Sequence, residues 1–161
     1  VIARLALALL AFAAPALAQA PLRAFDAASI ESIRQQHAKR PFVLAFWSIH
    51  CEPCVREMAI WKDLTARHPT VPVLLVSTDP PAERERVLRF LATHDPGAAV
   101  QRWQYADDFE ERIRHAVDPR WRGELPRTYL FDAAHRAEAK TGLPDPVELE
   151  RWLAGSRGRV P

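Results

Sequence analysis

Residues 42 to 47, FVLAFW, are continuously apolar and rich in aromatic and β-branched types. A run this short predicts a strand buried on both faces. Ahead of it, Ile30, Ile33 and His37 recur at helical spacing between Asp26, a plausible helix cap, and Arg40, with Pro41 ending the pattern. Behind it, Pro53 fits the first turn of a helix, and Cys54, Met58 and Trp61 at i, i+4 and i+7 give that helix one inward face as far as Arg67. A second apolar run, Val71 to Val76, predicts another buried strand, followed by Pro80 and Pro81 and a charged amphipathic segment from Ala82 to Thr93. Strand, helix, strand and helix in this order predict a parallel β-α-β unit.

The pattern weakens from Asp95 to Leu125. It predicts a strand near Val100 to Tyr105, a short helix near Phe109 to Ala116, and a loop holding Trp121 and Gly123. Beyond it, Thr128 to Phe131 and Ala137 to Thr141, separated by a turn at Asp132 to Arg136, predict a hairpin. Leu149 and Trp152 share a face of a last helix, Pro146 to Leu153, and residues 155–161 are expected to fray. The fold class is therefore α/β, a central mixed sheet flanked by helices.

The first 20 residues change the picture. Arg4, an apolar run from Leu5 to Ala14, Pro15, and small residues at 16 and 18 predict a cleaved secretory signal. Leu5 to Ala18 falls short of the roughly 20 apolar residues of a spanning helix. Residues 21–154 then suffice for one domain with its own core. With 22 Lys and Arg against 20 Asp and Glu and no basic run interleaved with aromatics, nothing supports nucleic-acid binding. Export puts the protein in a compartment where disulfides persist, here expected to be the periplasm, so the two cysteines carry the functional question.

Those two are Cys51 and Cys54, at a predicted strand-to-helix junction. Residues three apart in a helix lie one turn from each other, within bonding reach. The helix N-terminus stabilises a thiolate on Cys51, the attacking sulfur, and Cys54 on the buried face would resolve the mixed disulfide. A bridge closing so short a loop would add little stability as a staple. A structural zinc site lacks a second pair of ligands. His50 beside Cys51 leaves a copper-binding alternative open.

The motif FWSIHCEPCVREM from Phe46 to Met58, the later segment LPRTYLFD from Leu125 to Asp132, and the signal segment together resemble the TlpA/ResA group of exported thioredoxin-like proteins. The resemblance implies a thioredoxin-like fold and thiol-disulfide exchange with no cofactor or metal beyond the Cys51–Cys54 pair. It implies protein disulfides as substrates, apocytochrome c among them, and a membrane thiol donor that re-reduces the pair. By position it makes Cys51 the nucleophile, Cys54 the resolving thiol, and Pro126 a cis-proline facing the disulfide. Leu125 would pair with the substrate chain, and Glu57 would tune the thiols. Trp47, His50 and Arg127 complete the expected substrate-contacting set.

The departures from that group matter as well. His50 stands where an aromatic is usual; protonated, it would favour the Cys51 thiolate and oxidant behaviour, whereas Glu52 and Glu57 would push the other way. Ala45 stands at thioredoxin's buried Asp, which leaves Glu57 as the candidate proton acceptor. Arg127 replaces a common Thr and would place a cation near the thiols or a partner. The group's N-terminal hairpin is expected to be replaced by the helix from Asp26. The rival functions are an oxidant or isomerase of protein disulfides and a copper chaperone using Cys51, Cys54 and a histidine. His37, His68, His94, His115 and His135 are scattered and carry no predicted function.

Overall fold

The computed structural model describes residues 21–107 and 109–156. The predicted signal segment and residues 157–161 lie outside the described residues. The strands are β1 (Leu22–Phe25), β2 (Phe42–Trp47), β3 (Val73–Ser77), β4 (Val100–Tyr105), β5 (Arg127–Phe131) and β6 (Ala137–Thr141). The helices are α1 (Ser29–Gln36), α2 (Glu52–Arg67), α3 (Arg84–Thr93), α4 (Glu110–Val117) and α5 (Pro146–Ser156), with a 3-10 turn at Pro81–Glu83.

The six strands form one sheet in the order β1-β4-β3-β2-β5-β6. β1, β4, β3 and β2 are mutually parallel, while β5 runs antiparallel to β2 and β6 antiparallel to β5. β2 is central and every one of its residues is buried, as its unbroken apolar run predicts. One face of the sheet packs Val43, Ala45 and Trp47 with Met58 and Trp61 of α2, Val87 and Leu91 of α3, and Leu149 and Leu153 of α5. The other face packs Phe42, Leu44 and Phe46 with Ile30 and Ile33 of α1, Ile113 of α4, and Trp121.

Two expectations are corrected. The described chain opens with β1, pairing parallel with β4, where no strand was predicted before the Asp26 helix. Its buried positions are the first and last of four, Leu22 and Phe25, so neither alternation nor an apolar run marks it. The last helix runs to Ser156, whose hydroxyl donates to the Trp152 carbonyl at 2.8 Å, so Gly155 and Ser156 are helical and not frayed.

Candidate active site at the N-terminus of the second helix

The site forms where β2 ends and α2 begins. Ser48 is buried and the chain turns over the next two residues, with the Cys51 N–H donating to the Ser48 carbonyl at 3.2 Å. Cys51 caps α2 in an extended conformation and Pro53 occupies its first turn, where a missing N–H costs nothing. Cys51 and Cys54 are joined as a disulfide with Cα atoms 5.3 Å apart. Cys51 is half-buried, whereas Cys54 is fully buried among the residues under α2. This asymmetry gives one sulfur access to a partner and withholds the other.

One turn after Cys54 on the same inward face is Glu57, with no exposed surface. Burial pushes its carboxyl up to about 8, and Trp61 and Thr128, which face it, offset that in part. Neither of its oxygens makes a hydrogen bond of good geometry, and neither does the Trp61 indole or the Thr128 hydroxyl, so these two donors approach the carboxyl without full satisfaction of either side. Thr128 is paired with Ala45 in the β2–β5 register. A carboxyl from the helix therefore enters the layer where β2 itself offers only a methyl group.

The turn before Cys51 is held by a residue that sequence reasoning missed. Asp79, 3% exposed, lies just beyond the end of β3. It accepts hydrogen bonds from the Ser48 hydroxyl at 2.6 Å, the Ile49 N–H at 3.0 Å and the Ser77 hydroxyl at 2.6 Å. The His50 N–H in turn donates to the Ser48 hydroxyl oxygen at 3.0 Å. The signal in the sequence was a Ser77–Asp79 polar cluster directly following a buried strand and ahead of two prolines.

Leu125 is half-buried and packs against both cores. The Leu125–Pro126 bond is cis and Pro126 is buried, which agrees with the geometry expected of this position. The other expected contacts fall differently. Trp47 is 1% exposed and its ring stacks on Phe90 at 4.9 Å, so it is part of the core and offers no face to a partner. Arg127 was expected to bring a cation to the thiols or to a bound partner. Its guanidinium is engaged by Asp118 at 3.3 Å and by the Thr141 hydroxyl, and lies 5.0 Å from the centre of the Tyr129 ring.

His50 is exposed, and its Nε2 lies 2.9 Å from an oxygen of Glu83, which also pairs with Arg86 at 2.7 Å. His50, Asp79 and Glu83 each place a ligand-type atom within 4.8 Å of the other two. Asp79 is already committed to three donors and Glu83 to Arg86, so a cation there would have to displace existing partners. The copper alternative calls on His50 together with the sulfurs, whereas the ring is directed to Glu83.

No protein-family model and no curated protein matches the sequence. Solved structures do match in shape. A secreted disulfide oxidoreductase of Mycobacterium tuberculosis homologous to Escherichia coli DsbE superposes with a TM-score of 0.59 at 17% identity, covering 75% of this chain and 85% of that one. DsbF of the same organism superposes with a TM-score of 0.62 at 20% identity over 75% and 84% of the two chains. A thiol:disulfide interchange protein of the thioredoxin family from Chlorobium tepidum superposes with a TM-score of 0.60 at 14% identity over 76% and 83%. At identities this low a shared shape establishes the fold, and the chain therefore has the thioredoxin-like fold found in these thiol-disulfide exchange proteins.

Proposed function

We propose that the protein is an exported thiol-disulfide oxidoreductase that reduces disulfides in protein substrates. The observation that carries this reading is the Cys51–Cys54 disulfide at the α2 N-terminus, half-buried at Cys51 and fully buried at Cys54. In the reductive direction the Cys51 thiolate attacks one sulfur of the substrate disulfide. That bond breaks, the departing sulfur takes a proton, and a mixed disulfide joins Cys51 to the substrate. Cys54 gives up its proton and attacks the Cys51 sulfur, which releases the second substrate thiol and leaves the protein oxidised.

Glu57 is the acceptor for the Cys54 proton. A carboxyl pushed up to about 8 is close to the ordinary thiol value of about 8.5, so the proton moves between them at little cost. The Leu125–Pro126 turn supplies the edge against which an extended substrate chain lies. Apocytochrome c is the substrate, and a membrane thiol donor the reductant, that the resemblance to the TlpA/ResA group implies. The sequence-predicted signal places the protein in the periplasm.

The test is the reduction potential of the Cys51–Cys54 pair, measured by equilibrating the protein with thiol-disulfide buffers. A value near thioredoxin's, about −270 mV, supports the reductant, and one near DsbA's, about −120 mV, assigns an oxidant. A pair with no reversible couple, or a Cys51→Ser variant with full disulfide-reductase activity, overturns the reading.

A further inference from the structure

The turn that carries Cys51 meets the loop between β3 and α3, and that loop is fixed from several sides. The Thr78 N–H donates to the Trp47 carbonyl at 2.8 Å, and the buried Gln104 side-chain amide donates to the Asp79 and Pro80 carbonyls at 3.2 and 2.8 Å. The Asp79 carboxylate ties the loop to Ser48 and Ile49. The loop ends at Glu83, whose own N–H donates to the Pro80 carbonyl at 2.9 Å. Two segments anchored to each other in this way present His50 from one and Glu83 from the other, with His50 Nε2 2.9 Å from the carboxylate.

The Glu83 carboxylate has no part in starting α3. Glu83 is the N-cap residue of that helix, yet its side chain caps no backbone N–H. One of its oxygens accepts from His50 and the other from Arg86. A carboxylate only accepts, so the His50 nitrogen facing it is one that carries a proton. That N–H, and any positive charge on the ring, is thereby directed to Glu83.

The residue after His50 is Cys51, and consecutive Cα atoms are about 3.8 Å apart. An imidazole so placed stabilises the thiolate of its neighbour when it turns toward the sulfur, whether as a donor or as a cation, and a stabilised thiolate makes the pair more oxidising. The other charges around the turn are engaged elsewhere. Asp79 accepts its three hydrogen bonds, Glu52 pairs with Arg56 at 3.6 Å, and Glu57 is buried one turn beyond Cys54. The His50–Glu83 contact is the one that can be removed without stripping a bond from the backbone of the turn. We propose that Glu83 is a positioning residue that holds the His50 imidazole off Cys51 and so keeps the Cys51–Cys54 pair reducing. The inference rests on the thiol-disulfide exchange reading above and names a contact that sets its direction.

The test is the rate at which iodoacetamide alkylates the reduced protein across pH, which reads the thiolate of the accessible Cys51, together with the reduction potential of the pair. Glu83→Ala is expected to lower the midpoint of the Cys51 thiol by about one pH unit, roughly a tenfold gain in thiolate below that midpoint. The potential should rise by up to about 30 mV, the same tenfold converted for a two-electron couple. His50→Ala is expected to leave both values near those of the unaltered protein, and Glu83→Ala with His50→Ala to match His50→Ala alone. A loop merely loosened by the substitution would shift both values whether or not His50 is present, so the double variant separates positioning from structure. An unchanged midpoint in Glu83→Ala, or a shift that persists in the double variant, overturns the inference while leaving disulfide exchange standing. A pair with no reversible couple overturns both.

Discussion

The Ser48 hydroxyl donates a 2.6 Å hydrogen bond to the buried carboxylate of Asp79, tying the turn before Cys51 to the end of β3. The carboxylate also accepts from the Ile49 N–H and the Ser77 hydroxyl. Asp79→Ala would leave three donors without their acceptor in a site that water reaches poorly. The expected cost is about 2–4 kcal/mol, since stranded partners of a charged group each carry a desolvation penalty. Urea denaturation of the oxidised variant measures it, and a loss below about 1 kcal/mol would show that the turn is held by other means.

Trp47 adjoins the site in sequence but belongs to the core in space. Its ring stacks on Phe90 with the planes 29° apart and has 1% of its surface exposed. Trp47→Ala is expected to destabilise the domain by about 3–5 kcal/mol, the range for a truncated core aromatic. Thermal or urea unfolding reads that loss. A variant of unchanged stability and raised KM for a protein disulfide would return Trp47 to the substrate-contacting set.

The contrast between Trp47 and Asp79 marks where sequence reasoning reaches and where it stops. The β2-α2-β3 unit was legible because Phe42 to Trp47 is unbroken in its hydrophobicity and Cys54, Met58 and Trp61 keep one face of a helix. Cys51, Cys54 and the Leu125–Pro126 turn followed from local spacing and a resemblance of motif. Asp79 and Glu83 meet the active-site turn only through the fold, Asp79 lying 31 positions after Ser48 and Glu83 lying 33 positions after His50. The partners of Arg127 were out of reach for the same reason: Asp118 and Thr141 come from a loop and a neighbouring strand that local pattern does not bring together.

His37 is 8% exposed, its ring centre is 5.3 Å from that of Phe42, and neither ring nitrogen has a described partner. Burial, then Arg40 and His135, hold its pKa below the ordinary 6.5. The unfolded chain therefore binds the proton more readily than the folded one, and stability present above about pH 6.5 is lost as pH falls toward the depressed folded value. His37→Phe, which keeps an aromatic against Phe42, is expected to flatten this acid limb. Urea midpoints from pH ~7 down to ~5 test it, and an acid limb unchanged in the variant would assign the loss to other groups.

Glu57 imposes the opposite slope. Its carboxyl is pushed up from 4.5 to about 8, first of all by burial, so between those values the folded state holds a proton that the unfolded state releases. The stability contributed by this group is fully present below about pH 4.5 and is lost as pH rises through about 8. A shift of this size amounts to roughly 3 kcal/mol by pH ~7, at about 1.4 kcal/mol per unit. Glu57→Gln stays neutral in the same shape and is expected to remove the slope and raise stability at neutral pH. Gln keeps a carbonyl oxygen that can still accept from Trp61 or Thr128, the two donors that face the carboxyl. The exchange kinetics separate this effect from chemistry. If Glu57 accepts the Cys54 proton, the rate of mixed-disulfide resolution should rise with an apparent pKa near 8 in the unaltered protein, and that rise should vanish in Glu57→Gln. A variant that gains stability but keeps the kinetic profile would leave Glu57 as a buried carboxyl with no part in the proton transfer.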